Sequence, residues 1–127
     1  MPHNPRKILA AVDDLFFVVK INDAAKRAGM LIEFLKSEED LLKKALAEPP
    51  TMVIVDLATA SIPPVPLIAR LRSEPALKSV SVIAFVSHVD AELKNRAQEA
   101  GADMVMARSA FSINLPQILR RHSGKVA

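Results

Sequence analysis

Apolar residues fall along this chain in two patterns. Short, nearly continuous apolar runs occur at Ile8–Val12, Leu31–Leu35, Met52–Val55, Val80–Val86 and Met104–Ala107. They are rich in Val and Ile, as strands buried on both faces are. Leu31–Leu35 is the weakest run, because Glu33 interrupts it, and an edge strand tolerates such a charge. No proline falls inside any of these runs, which agrees with interior strand positions.

Between the runs the apolar residues recur at helical spacing. Phe17, Ile21, Ala24 or Ala25, and Ala28 mark a first helix, with Gly29 as its stop. Ser37 followed by Asp40 resembles a capping box, and Leu41, Leu42, Ala45 and Leu46 then form one apolar face that ends at Pro49-Pro50. Leu67, Ile68 and Leu71 mark a short helix entered through Pro63-Pro64-Val65-Pro66. Leu93, Ala97 and Ala100 line another, closed by Gly101, and Ile113, Ile118, Leu119 and His122 mark the last. Pro116 is expected in the first turn of that last helix, where a missing N–H costs little.

Strict strand–helix alternation implies an α/β fold: a parallel sheet, right-handed crossovers and helices on both faces. At 127 residues the chain has room for one domain, with a core over about residues 6–121 and short tails at both ends. It contains no cysteine, which removes disulfide scaffolds, thiolate metal sites and cysteine nucleophiles. His3, His88 and His122 are scattered. Glycine occurs at Gly29, Gly101 and Gly124 alone, so no glycine-rich phosphate loop exists. No apolar run reaches the ~20 residues of a membrane span, and MPHNPRK is not a signal peptide. A cytoplasmic location and no membrane contact are the expectations. Net charge is +3, with basic residues spread along the chain and densest at Arg120, Arg121, His122 and Lys125. There are five Phe and no Tyr or Trp, so bases would find few stacking platforms, and direct nucleic-acid binding is not expected.

An open parallel sheet places its ligand at the carboxyl ends of its strands. The residues that follow the runs are Asp13 and Asp14, Asp56, Ser87 and His88, and Arg108. The edge run ends in Lys36 and Ser37, which the order would place away from the site. Three carboxylates at adjacent strand ends repel by several kcal/mol at ~4 Å. A divalent cation such as Mg²⁺ resolves that conflict, and a carboxylate beside it can attack phosphorus to form an aspartyl phosphate. A hydroxyl and a cationic side chain would then hold the phosphoryl oxygens. Each residue also has a plainer use. Asp13 or Asp14 would cap the helix that starts near Leu15. Ser87 alone suits a cap or turn, Arg108 alone a surface ion pair, and Met104 and Met106 suit packing. A flavin enzyme would want a Ser/Thr/Gly-rich loop after the first strand, where Asp13–Phe17 is acidic and bulky.

The segments ILAAVDD, MVIVD, VIAFVS and AGADMVMAR resemble the receiver domain of two-component response regulators, over about Arg6 to Arg121. The resemblance implies a flavodoxin-like, doubly wound (βα)5 fold with strand order 2-1-3-4-5. It places Asp56 at the phosphoacceptor position, Asp13 and Asp14 at the Mg²⁺-binding pair, and Ser87 at the hydroxyl that contacts the phosphoryl group. Ala58 falls where a backbone carbonyl completes the metal shell. At most, Mg²⁺-dependent self-phosphorylation and dephosphorylation at Asp56 is implied, with a histidine kinase or phosphotransfer protein as donor. The implied output partner is an effector domain or protein, or a weak homodimer, on the face of the fourth helix, fifth strand and fifth helix. That face would include Lys94, Arg96, Asp103, Arg120 and Arg121.

The departures from the family pattern are specific. Arg108-Ser109 stands where the family has lysine and proline, and arginine is longer and planar. Val105 stands where an aromatic ring often rotates. Ala60 and Pro64 replace a proline and a glycine, and Ser61–Pro66 is stiff. His88 stands beside Ser87 in place of a small residue. These changes support an alternative, a phosphorylation-independent pseudo-receiver that acts as a protein–protein interaction module, with Arg108 paired to Asp56.

Overall fold

The computed structural model describes residues 6–87 and 90–121; His3, His88 and His122 lie outside them. The elements alternate as β1 (Lys7–Ala11), α1 (Leu15–Arg27), β2 (Leu31–Phe34), α2 (Glu38–Ala47), β3 (Met52–Asp56), α3 (Pro64–Ser73), β4 (Ser81–Val86), α4 (Ala91–Ala100), β5 (Met104–Ala107) and α5 (Arg108–Arg121), with a short 3₁₀ turn at Pro75–Leu77. All strand pairs are parallel, in the order β2-β1-β3-β4-β5. β2 is an edge strand, as its interrupted pattern implies, and Leu31 on it is exposed.

Successive residues of a strand point to opposite faces, and this divides the core in two. Leu9, Ala11, Val53, Val55, Val82, Ala84 and Val86 pack with buried side chains of α2, α3 and α4. Ile8, Ala10, Val12, Met52, Ile54, Ile83 and Phe85 pack with Phe17 and Ile21 of α1 and with Phe111, Leu115, Ile118 and Leu119 of α5. The second layer holds an aromatic stack: the Phe85 and Phe111 rings are 4.4 Å apart and Phe17 lies 4.9 Å from Phe85.

The helix ends follow the local chemistry. Asp14 caps α1 by accepting from the Phe16 N–H, and Ser37 caps α2 by accepting from the Asp40 N–H at 3.0 Å. Gly101 ends α4 at φ +117°, a left-handed position that favours glycine. The last helix departs from expectation. It begins at Arg108, directly after β5, so Pro116 lies in its interior and not in its first turn. The apolar spacing Phe111, Leu115, Ile118, Leu119 runs through the proline, and their burial offsets the ~3 kcal/mol a mid-helix proline costs. Ile113, read as part of the buried face, is exposed, because it lies off this stripe. Leu46 at the end of α2 is also exposed.

Arg72 at the end of α3 ties the layer of α3 and α4 to the sheet. Its guanidinium donates to the carbonyls of Gly101 (2.8 Å), Val80 (3.0 Å) and Lys78 (3.2 Å), and to the Asp103 carboxylate. Asp103 also accepts from the Val82 N–H at 2.7 Å. Arg72→Ala is expected to cost about 2–4 kcal/mol in urea unfolding, since it strips donors from several acceptors at once. Lysine, a point charge without the planar fork, should recover little of that. Gly101→Ala should also destabilise, because its Cβ would run into the Arg72 Cγ and its φ is positive.

Candidate functional site

The carboxyl ends of β1, β3, β4 and β5 carry Asp13 and Asp14, Asp56, Ser87 and Arg108, and each acid meets partners of its own there. Asp56 ends β3 in the same alternation as Met52 and Ile54, which pack against α1 and α5. It pairs in register with Phe85. Asp13 lies two residues beyond the end of β1, near enough to Asp56 for its charge to act on that carboxyl.

Asp56 is 3% exposed. Its Oδ1 accepts from the Ala58 N–H at 2.9 Å. The Arg108 guanidinium stands 3.9 Å from the same oxygen and lies over the Phe17 ring, 5.5 Å from its centre. The contact is a single long ion pair, and Arg108 Nε is buried with no hydrogen-bond partner among the described residues. Burial pushes the Asp56 carboxyl above its ordinary 3.8. The Ala58 N–H and then Arg108 pull it down, while the charges of Asp14 and Asp13 push it up. Ser87 is exposed and lines a shallow depression with Phe16, Phe17, Arg108, Ser109 and Ser112.

Asp13 is held by the loop between β3 and α3. Its Oδ2 accepts from the Thr59 hydroxyl (2.7 Å) and from the N–H groups of Ala60 and Ser61 (3.1 Å each). Its Oδ1 accepts from the Ser61 hydroxyl at 2.7 Å and lies 3.5 Å from Lys36 Nζ. The Ser61 and Thr59 hydroxyls hold its carboxyl well below the usual carboxylate range, against a smaller opposing effect of burial. Asp14 is exposed, and its Oδ1 takes the Phe16 N–H at 2.9 Å. Of the two acids, Asp14 is the helix cap.

The sequence reading missed Thr59, Ser61 and Lys36. Lys36 was expected away from the site, yet β2 is the immediate neighbour of β1, so its carboxyl end delivers Lys36 to Asp13. The order 2-1-3-4-5 contained that signal. Thr59 and Ser61 carried none, because loop hydroxyls look alike until their partner is known. Asp103, read as part of an output face, is engaged by Arg72 and Val82. Lys94, Arg96, Arg120 and Arg121 are exposed.

Magnesium takes hard oxygen ligands with free lone pairs. A carboxylate offers about four lone-pair positions, and four donors and a lysine surround that of Asp13. Among the described residues no group of three or more Asp, Glu, His or Cys side chains converges so as to hold a metal ion. This arrangement does not fit a divalent cation bound jointly by Asp13, Asp14 and Asp56.

No protein-family model and no curated protein sequence matches the chain. Solved structures do. A putative response regulator from Chloroflexus aurantiacus superposes with a TM-score of 0.82 at 21% identity, over 96% of this chain and 100% of that one. The receiver domain of sensor histidine kinase PA1611 from Pseudomonas aeruginosa, with a magnesium ion in its active-site cleft, gives 0.80 at 16% identity over 96% and 100%. The chemotaxis response regulator CheY4 of Vibrio cholerae gives 0.79 at 18% over 94% and 99%. The fold of this chain is thus the receiver fold of two-component response regulators, of the flavodoxin-like kind.

Opposite pKa shifts give opposite pH dependences. The depressed Asp13 carboxyl contributes stability that is present above its unfolded value of 3.8 and is lost as pH falls through its lower folded value. The raised Asp56 carboxyl contributes below 3.8, and that contribution is lost as pH rises through its folded value. At pH 7, Asp13→Asn should lower stability by about 2 kcal/mol and Asp56→Asn should raise it. Both differences from the native chain should shrink on acidification below 3.8, measured by urea unfolding across pH.

Proposed function

We propose that this chain is a signalling module of the receiver type that works by protein–protein contact without a phosphoryl group on Asp56. The observation that carries this reading is the disposition of Asp56: it is 3% exposed, it has an arginine beside it, and among the described residues it joins no group of three or more acidic or histidine side chains placed to hold a metal ion. A phosphoacceptor must meet a phosphodonor in line with its oxygen, and the burial of Asp56, with the Arg108 cation 3.9 Å from its Oδ1, opposes that approach. A cation fixed beside Asp56 supplies from within the chain part of the charge balance that a metal would supply. The cationic residues Lys94, Arg96, Arg120 and Arg121 on α4 and α5 suit an effector domain or protein with an acidic face, or a weak homodimer through α4, β5 and α5. A cytoplasmic setting accords with this reading. No helix among the described residues is long and apolar enough to cross a membrane.

A second reading is favoured by the strand order, which brings Asp56, Ser87 and Arg108 to one end of the sheet. In it, Asp56 accepts a phosphoryl group from a histidine kinase or phosphotransfer protein. Mg²⁺ is then held by Asp13, Asp14, Asp56 and the Ala58 carbonyl, and Ser87 and Arg108 hold the phosphoryl oxygens. Asp13 would first have to leave the loop.

The two readings separate in one experiment. The protein is incubated with Mg²⁺ and acetyl phosphate or phosphoramidate and weighed intact, alongside Asp56→Asn, and amide spectra are recorded with beryllofluoride. The expected outcome is no added phosphoryl mass and nearly unmoved strand-end amides. An adduct that disappears in Asp56→Asn, or a saturable beryllofluoride response, establishes the second reading instead.

A further inference from the structure

The contacts of Asp13 point to a role for the loop between β3 and α3 that goes beyond joining two elements. Thr59 is buried, 46 residues away from Asp13 in sequence, and its hydroxyl is 2.7 Å from Oδ2. Ser61 reaches the other oxygen with its hydroxyl at the same distance and adds its N–H to the first. These are the short, charge-assisted bonds that a carboxylate forms with well-placed donors. The loop can hold this shape cheaply, because Pro63, Pro64 and Pro66 follow it and restrict the unfolded chain as much as the folded one. Its start is fixed as well, by the Thr59 N–H on the Asp56 carbonyl at 3.0 Å.

We propose that the Thr59 and Ser61 hydroxyls take the place of a divalent cation on Asp13, and that these two side chains make the site refuse Mg²⁺. The chain carries its own counter-charge in the form of oriented O–H and N–H dipoles, completed by Lys36. A metal ion approaching Asp13 must displace two hydroxyls already bonded to it and stand close to the Lys36 ammonium, at 3.5 Å from the same oxygen. It gains in exchange only Asp14, already capping α1, and Asp56, already bonded by the Ala58 N–H and flanked by Arg108. The remaining donors on Asp13 are the N–H groups of Ala60 and Ser61, and both are on Oδ2. Removing the Ser61 hydroxyl would therefore leave Oδ1 with the Lys36 contact alone. The residues that decide metal binding are thus in the loop, outside the acidic set itself, as partners of ligating groups often are. The proposal rests on the metal-independent reading of the site.

The test compares the native chain, Thr59→Val/Ser61→Ala and Lys36→Ala. Mg²⁺ affinity is followed by titration calorimetry, and Mn²⁺ serves as a paramagnetic probe whose broadening of the Phe16, Ala58 and Ala60 amides locates the ion. The double variant is expected to bind ~10- to 100-fold more tightly than the native chain, with broadening centred on Asp13. Should the double variant fail to fold, Ser61→Ala alone, at an exposed position, is scored in the same way. Equal affinity in the native chain and the variant overturns the proposal. So does an absence of binding in both, or a full gain from Lys36→Ala alone, which would assign the refusal to the lysine. Intact mass after acetyl phosphate treatment is recorded for the native chain in parallel. An Asp56-dependent adduct there removes the functional reading, whereas failure to bind metal in every variant, without an adduct, removes only the role given to Thr59 and Ser61.

Discussion

A strand buried on both faces alternates its side chains strictly, and the arrangement of this site depends on that constraint. β1 and β3 are neighbours, in register from Ile8 with Met52 to Ala11 with Val55. Their last apolar residues are packed on both sides, so neither strand can slip by one residue without turning its hydrophobic set outward. Asp56, the last residue of β3, inherits that phase and continues the side that meets α1 and α5. Asp13, two residues past the end of β1, is met by the loop before α3. Hydrophobic packing, which knows nothing of charge, thus fixes where the strands set these carboxylates down.

The consequence is electrostatic. Three acids within a few residues of each other in space carry a repulsion that must be answered in the folded state. Here each has an answer of its own: loop hydroxyls, N–H groups and Lys36 for Asp13, a helix N-terminus for Asp14, and the Ala58 N–H with Arg108 for Asp56. The answers are unequal. Asp13 is bonded at both oxygens and is held ionised. Asp56 is buried, its arginine stands at 3.9 Å, and burial outweighs both favourable contacts.

Much of this was legible before any coordinates. Val/Ile-rich runs separated by helical spacings give the alternation, and all five runs end within one residue of the observed strands. Ser37, Gly29 and Gly101 punctuate helices for local reasons that need no tertiary contact. What failed was non-local. Pro116 looks like a helix start when judged by its missing N–H, but tertiary burial of Phe111 and Leu115 extends α5 well ahead of it. The strand-end residues could be named from the sequence, since their positions follow from topology. Their partners could not, because the Asp13–Thr59 bond spans 46 residues and depends on a loop conformation with no periodic signature.

The same reasoning explains why Arg108 matters more than its exposure suggests. It follows β5 without a connecting residue and opens α5, so its backbone is fixed by both elements. Its guanidinium rests over Phe17, within the aromatic layer of Phe17, Phe85 and Phe111. That platform positions the cation beside Asp56 but leaves Nε buried and without a partner among the described residues, an arrangement that costs free energy wherever it occurs. A lysine would present its charge as a compact point at the end of a flexible stem, with no flat surface to lie over the ring and no buried Nε. The packing of Arg108 therefore trades hydrogen-bond completeness for a cation held in place by aromatic contact.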